Sequence, residues 1–229
     1  MASISHSADE AVADISDGST VLVGGFGLAG MPVDLLDALV RQGATGLTIV
    51  SNNAGNGEVG LAALLKAGRV RKVICSFPRQ HDSFVFDELY RAGRIELELV
   101  PQGNLAERMR AAGAGIGAFY CATGVGTPLT EGKETRVIDG RTYVLEYPIT
   151  GDVALISAHK SDELGNLVYR KTARNFGPVM ATAATTVIAQ VNHIVPVGSL
   201  DPEAVVTPGI YVDRVVRADA MRLTAHGAC

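Results

Sequence analysis

Short apolar runs alternate with amphipathic stretches along the first half of the chain. Residues 8–15 have the spacing of a short helix, Asp17-Gly18 signals a turn, and Thr20-Val21-Leu22-Val23 is a run of the length and character of a buried strand. A glycine-rich stretch, Gly24 to Gly30, leads to a helix opened by Pro32, whose missing N–H would have no partner in a first turn anyway. Val33, Leu36, Leu39 and Val40 keep the helical period, and Gly43 ends it. The cycle then repeats: a strand over 47–50, a helix over 60–67, a strand over 70–77, a helix over 82–92, a strand over 95–100 and a helix over 105–112. In the strand over 95–100 (IELELV) strict alternation predicts one wet face. Strands separated by helices imply parallel pairing with right-handed crossovers.

The second half is less regular. Glu131 to Arg141 is charged and contains glycine, which predicts a hairpin or an exposed excursion. Strands are expected over 143–145, 153–157 and 185–191, and the later part of 174–184 reads as helix. No internal repeat, low-complexity segment or linker interrupts the chain. The expectation is an α/β fold, an open, mostly parallel sheet flanked by helices, in a single domain over 1–229 with an excursion near 128–145.

Composition narrows the class. Of 229 residues, 47% are hydrophobic and 19% charged, enough apolar mass for a sizeable core and too little charge for disorder. The formal net charge is −4 and no run of Lys or Arg stands out as a patch, which argues against nucleic acid and against an anionic membrane surface as partners. The cysteines Cys75, Cys121 and Cys229 are odd in number and far apart, so neither a disulfide framework nor a zinc site is indicated. The histidines (His6, His81, His159, His193, His226) lack metal-ligand spacing. The first residues carry no signal-peptide pattern and no apolar run reaches membrane-spanning length, so a reduced cytoplasmic setting is expected.

Candidate chemistry gathers where the predicted strands end, the edge at which open α/β sheets bind ligands. Gly25-Phe26-Gly27-Leu28-Ala29-Gly30 matches G-x-G-x-x-G between strand and helix. It admits a dinucleotide site, a tight turn, or close approach of another ligand, with the helix N-terminal amides favouring an anion. The acidic residue a dinucleotide site needs after the second strand is missing, because that strand runs into Ser51-Asn52-Asn53. Asn52 and Asn53 offer uncharged donors and acceptors suited to a carbonyl or carboxylate, or else form an Asx turn. Arg79 follows the third strand with a donor fork that fits a carboxylate, unless it is a solvated loop residue. Gln102 follows the fourth, where its amide could donate to a developing oxyanion or simply belong to a turn. No base or nucleophile accompanies them. Glu58 is nearby without distinguishing spacing, and no nucleophile elbow G-x-S-x-G occurs.

These residues sit in longer segments that resemble the A subunit of family I (3-oxoacid) CoA-transferases: VLVGGFGLAGMPVDLLDAL (21–39), SNNAG (51–55), LVPQGNLAERMRAAGAGIGAFY (99–120), ATGVGT (122–127), EGKETR (131–136), DELGNLVYRKTARNFGPVMATAA (162–184) and TPGIYVDRVV (207–216). The resemblance spans nearly the whole chain. It implies an open α/β sheet flanked by helices and a reaction in which CoA moves from an acyl-CoA donor to a carboxylate acceptor. A glutamate, supplied by a separate B subunit, becomes a glutamyl-CoA thioester. No permanently bound cofactor is implied; the CoA thioester is substrate. By position, Gly24, Gly25, Phe26, Gly27, Leu28, Ala29 and Gly30 correspond to the loop contacting CoA or the acyl group, Asn52 and Asn53 to asparagines beside the acyl site, and Gln102 to the oxyanion-hole glutamine.

The stretch Ser76-Phe77-Pro78-Arg79-Gln80-His81-Asp82 departs from the acetoacetate-type members and is similar to those of aromatic-compound degradation, which act on 3-oxoadipate. The second carboxylate of such an acceptor gives Arg79 a partner. The A component of an acetoacetate-type enzyme, a nicotinamide-dependent oxidoreductase and a non-catalytic acyl-CoA-binding homologue remain as alternatives. Heterotetramer assembly with the B subunit is expected.

Overall fold

The apolar runs of the first half lie side by side in one sheet. A computed structural model describes residues 2–219, so Cys229 and His226 lie outside the described residues. The elements are β1 (Ser3–Ser5), α1 (Ala8–Val12), β2 (Thr20–Val23), α2 (Val33–Gln42), β3 (Leu47–Val50), α3 (Leu61–Lys66), β4 (Val70–Cys75), α4 (Phe84–Arg91), β5 (Glu96–Leu99), α5 (Gln102–Gly113) and β6 (Phe119–Cys121). They continue as β7 (Thr135–Ile138), β8 (Arg141–Glu146), β9 (Gly151–Asp162), β10 (Leu167–Val168), α6 (Gly177–Ala183), β11 (Ala184–Val195) and β12 (Arg214–Arg217). The large sheet runs β1-β12-β11-β9-β2-β3-β4-β5, all parallel, with β10 added antiparallel on β9.

Strand alternation divides the interior in two. Val21, Val23, Ile49, Val73 and Leu155 face a core with Leu35, Leu39, Leu61 and Phe86 of α2, α3 and α4. Leu22, Val50, Ile74, Ala154 and Ile156 face a second core with Leu105, Met109 and Met180 of α5 and α6. Parallel strands buried on both faces read as continuous apolar runs, which is why they were visible in the sequence.

From β2 the sheet grows outward through β3, β4 and β5. The chain then returns to β9 on the other side of β2 and grows the opposite way. The loops after β2 and β9 therefore diverge, which opens a crevice at the carboxyl edge between them. β9 and β11 extend well past the expected 153–157 and 185–191. Their polar carboxyl halves stay paired, His193 opposite Lys160 and Val195 opposite Asp162. The excursion is a separate antiparallel sheet, β6-β8-β7, that begins at Phe119, earlier than expected, and includes the strand expected over 143–145. β1, β10 and β12 contain at most two successive apolar residues and β6 spans only three, so none shows the apolar run or alternation that marks β2, β3 and β5. Among the described residues, no helix is long and apolar enough to cross a membrane.

Burial of Cys75 in β4 raises its thiol pKa to about 12, against a weaker opposing backbone hydrogen bond. Because the thiolate is the nucleophile, Cys75 should resist iodoacetamide in the native protein and react after denaturation. Peptide mass spectrometry checks this, and rapid labelling of native Cys75 at mildly alkaline pH would contradict it.

Candidate active site

The loop after β2 is tied to β9 by Gly24 N–H donating to Leu155 C=O (2.9 Å) and closes on itself through paired bonds between Phe26 and Ala29 (3.0 and 3.2 Å). Gly30 has φ +73°, and a Cβ there would lie 2.3 Å from the carbonyl oxygen of Ala173. Glycine is required at that point for both conformation and contact. Phe26 and Leu28, at the loop tip, are about half exposed.

Asn175, to which the sequence reading gave no role, holds this loop. Its Oδ1 accepts from Gly25 N–H (3.0 Å) and Phe176 N–H (2.7 Å), while its Nδ2 donates to Ala29 C=O (2.9 Å) and Thr172 C=O (3.0 Å). Asn175→Ala should destabilise the chain by about 2 kcal/mol, the sum of several modest hydrogen bonds. Asn175→Asp, which keeps the acceptor, should recover part of the loss. Denaturant unfolding measures both, and a loss under ~0.5 kcal/mol for the alanine variant would remove the brace.

The N-terminus of α2 does not offer itself to an anion as the motif led one to expect. Asp34 and Leu35 N–H both donate to Oε1 of Gln190 (3.0 and 3.3 Å), so the protein's own side chain occupies the position a bound pyrophosphate would take. This removes the main structural support for the dinucleotide reading.

At the end of β3, Ser51, Asn52 and Asn53 are buried. Asn52 Oδ1 accepts from Nε2 of Gln102 (2.7 Å) and from Oγ of Ser76 (2.8 Å), while its backbone carbonyl accepts from Ser76 and Phe77 N–H (3.2 and 3.0 Å). One asparagine thereby joins the ends of β3, β4 and β5. Gln102 is the first residue of α5, one turn earlier than the predicted helix start, and is solvent-accessible. Its carboxamide has two N–H bonds, of which Asn52 takes one. The Asx-turn alternative holds for half of Asn53, whose Oδ1 accepts from Gly55 N–H (2.9 Å). Its Nδ2, the Oγ of Ser51 and the Oδ1 of Asn56 are buried without a partner among the described residues. Each such group costs about 1–3 kcal/mol unless something satisfies it, and clustering of several at one strand end marks a place built to receive polar atoms.

Arg79 is on the same edge but already engaged. Its Nε meets Oδ1 of Asp87 at 2.5 Å and its guanidinium lies 5.8 Å from the centre of the Tyr90 ring, both on α4. Glu58 pairs with Lys66 at the surface (2.8 Å). Side chains of Phe26, Leu28, Val59 and Phe77 leave this polar edge ringed by exposed apolar surface.

With this geometry in view, residues 5–218 match the model of the family described as Coenzyme A transferase. The chain is 70% identical over 206 residues to the A subunit of the 3-oxoadipate CoA-transferase of Pseudomonas putida, covering 90% of this chain and 89% of that one. It is 50% identical over 216 residues to the A subunit of a probable succinyl-CoA:3-ketoacid coenzyme A transferase of Bacillus subtilis, covering 94% and 90%. The acyl-CoA transferase YdiF of Escherichia coli O157:H7 superposes with a TM-score of 0.83 at 27% identity, over 93% of this chain and 46% of that one. This chain thus spans about half the length of the E. coli protein, which has also been solved as a thioester complex with CoA.

Proposed function

Because this chain belongs to the coenzyme A transferase family, we propose that it is the A subunit of a two-chain enzyme that moves CoA from succinyl-CoA to 3-oxoadipate. The observation that carries the reading is 70% identity over 90% of the chain to a protein of that name, against 50% for the succinyl-CoA:3-ketoacid type. The site's chemistry supports it: a polar edge with donors, orphaned buried groups and no nucleophile suits a half-site completed by another chain.

In this reading the thioester carbonyl is attacked by a glutamate of the B subunit. Negative charge develops on the carbonyl oxygen, where the second N–H of Gln102, held in place through Asn52, stabilises it. Asn53, fully buried, supports the same edge through its bond from Gly55 N–H, with its Nδ2 behind the surface that the acyl group meets. The loop Gly24 to Gly30 lets the thioester approach backbone closely. Collapse of the resulting adduct expels CoA thiolate and leaves a succinyl-glutamyl anhydride; the thiolate then attacks the glutamyl carbonyl, which releases succinate and leaves CoA on the glutamate. The carboxylate of 3-oxoadipate attacks that thioester, CoA thiolate leaves and returns to the acceptor's carbonyl of the new anhydride, and 3-oxoadipyl-CoA departs with the glutamate regenerated. Water near the glutamyl thioester would hydrolyse it, and the apolar rim of Phe26, Leu28, Val59 and Phe77 supplies a surface for the partner that excludes water. CoA is substrate throughout, and no permanently bound cofactor is invoked. A heterotetramer, a cytoplasmic location and a place in aromatic-compound degradation belong to the same proposal.

Arg79 is proposed to meet the distal carboxylate of 3-oxoadipate with the guanidinium nitrogens that Asp87 leaves unused. With that acceptor, Arg79→Ala should lower kcat/KM roughly 10–100-fold, the worth of one charge-assisted hydrogen bond, and it should spare acetoacetate. Equal losses on both acceptors would reduce Arg79 to an anchor of its loop on α4. The overall reading is tested by co-expression with a B-type chain and an assay of CoA transfer from succinyl-CoA to 3-oxoadipate, with either polypeptide by itself as control. Turnover by this chain alone refutes the half-site, and no turnover by the pair favours a non-catalytic homologue.

A further inference from the structure

The net charge of −4 conceals a concentration of positive charge that the linear sequence did not flag as a patch. Arg170, Lys171 and Arg174 follow β10 in a short 3-10 turn, Lys171–Arg174, that packs against β9 and reaches the glycine loop. His159, in the extended carboxyl half of β9, lies within electrostatic reach of its neighbour Lys160 and of Arg170. None of these four Lys and Arg side chains forms an ion pair among the described residues. The chain's other ion pairs show that acidic partners were available to it. Burial first, and then the charges of His193, Lys160 and Arg170, lower the pKa of His159, and its Nδ1 has no partner among the described residues.

The place matters as much as the charge. Lys171, Arg174, Thr172 and Asn175 line one side of a groove of about 520 Å³, and Phe26 and Ala29 of the glycine loop line the other. This groove lies at the crevice between β2 and β9 where the sheet reverses its direction of growth. Lys171 has φ +50°, in the left-handed region that costs a non-glycine residue about 1 kcal/mol or more. A lysine is kept where glycine would be easier.

We infer that Arg170, Lys171 and Arg174 form a phosphate shelf that binds the nucleotide end of the CoA substrate, with the pantetheine arm running along the glycine loop toward Asn52 and Gln102. The inference rests on the transferase reading and adds to it where the phosphates sit. Several uncompensated cations suit a pyrophosphate and a 3′-phosphate, whereas a diacid acceptor brings one distal carboxylate, for which Arg79 on the far side of β3 is already proposed. Arg supplies a fork for phosphate oxygens and Lys a point charge.

The experiment compares two donors with the assembled two-chain enzyme, succinyl-CoA and the succinyl thioester of pantetheine, which lacks every phosphate. Lys171→Gly is the informative variant, because glycine accepts φ +50° and the fold should be no less stable. Lys171→Gly and Arg174→Ala should each raise KM for succinyl-CoA several-fold, about tenfold together, as expected for exposed charges. The pantetheine thioester should show no matching change. Equal effects on both donors, no effect on succinyl-CoA, or a weakened affinity for the diacid acceptor instead would overturn the shelf. Calorimetry with adenosine 3′-phosphate 5′-diphosphate separates the two layers of inference. Binding to the wild-type pair that Arg174→Ala weakens several-fold, in a pair that transfers nothing, keeps the shelf and discards the reaction. Absence of binding in an active wild-type pair discards the shelf.

Discussion

Gln102→Ala in the assembled two-chain enzyme is expected to lower kcat by about 10²–10³ with little change in KM for succinyl-CoA. The reason is differential: an amide aimed at an oxyanion gains its value as charge develops, so its loss falls on the transition state more than on the bound thioester. The 2.7 Å bond to Asn52 adds a check. Asn52→Ala should also reduce kcat, because the Gln102 carboxamide is then free to rotate away from the carbonyl oxygen. The double variant should be little worse than Gln102→Ala alone, since both changes remove one function. Additive losses, or a Gln102 variant changed in KM only, would show that the amide positions the substrate and does not stabilise the oxyanion.

The largest effect on stability is expected at Glu146. This carboxylate is 2% exposed at the end of β8, where its Oε1 accepts from Lys133 Nζ (2.8 Å) and Asn104 Nδ2 (3.2 Å). Arg108 lies 3.9 Å away and continues the chain of charges to Glu98 (3.0 Å), which Lys72 also meets (2.6 Å). The network fastens the small β6-β8-β7 sheet to α5, the helix that begins with Gln102. Glu146→Ala leaves Nδ2 of the buried Asn104 without its carboxylate acceptor and removes a neighbouring charge from the largely buried Arg108, and should cost about 3 kcal/mol in denaturant unfolding. A cost under ~1 kcal/mol would mean that the small sheet is held by packing alone. The same network predicts acid sensitivity. Burial alone would raise the Glu98 pKa, but hydrogen bonds from Lys72 and Arg108, with their charges, outweigh it and hold the pKa below the ordinary glutamate value. A depressed carboxylate stabilises the fold above its unfolded pKa, about 4.3, and that contribution is lost as pH falls through the lowered value. Glu98→Gln should flatten that part of the stability profile.

How far the site was legible differs residue by residue. Gly24 to Gly30, Asn52, Arg79 and Gln102 were singled out because strand ends carrying glycines, amides and an arginine are conspicuous by type and position, and all lie on one edge of the sheet. Asn175 gave no such signal. Its importance depends on bonds to Gly25 and Ala29, some 150 residues earlier in the chain. Gln190 is in the same position: a glutamine inside an apolar strand run says nothing about capping α2. The Arg170-Lys171-x-x-Arg174 segment holds three basic residues in a chain of net charge −4, too few to mark a patch by spacing alone. Its significance comes from the glycine loop beside it.

Local periodicity was enough to find the helices and buried strands, because a face that must be desolvated repeats at the pitch of the element that buries it. It was enough, too, to put the donors at strand ends and to show that no nucleophile accompanied them. It could not place β9 next to β2, pair β1 with a strand some 210 residues away, or extend β9 and β11 through polar residues. Those choices depend on which strands can share hydrogen bonds while covering both faces of the sheet, a condition on the whole chain at once. The reversal between β2 and β9, and the cation-lined crevice it opens, therefore exist only in three dimensions.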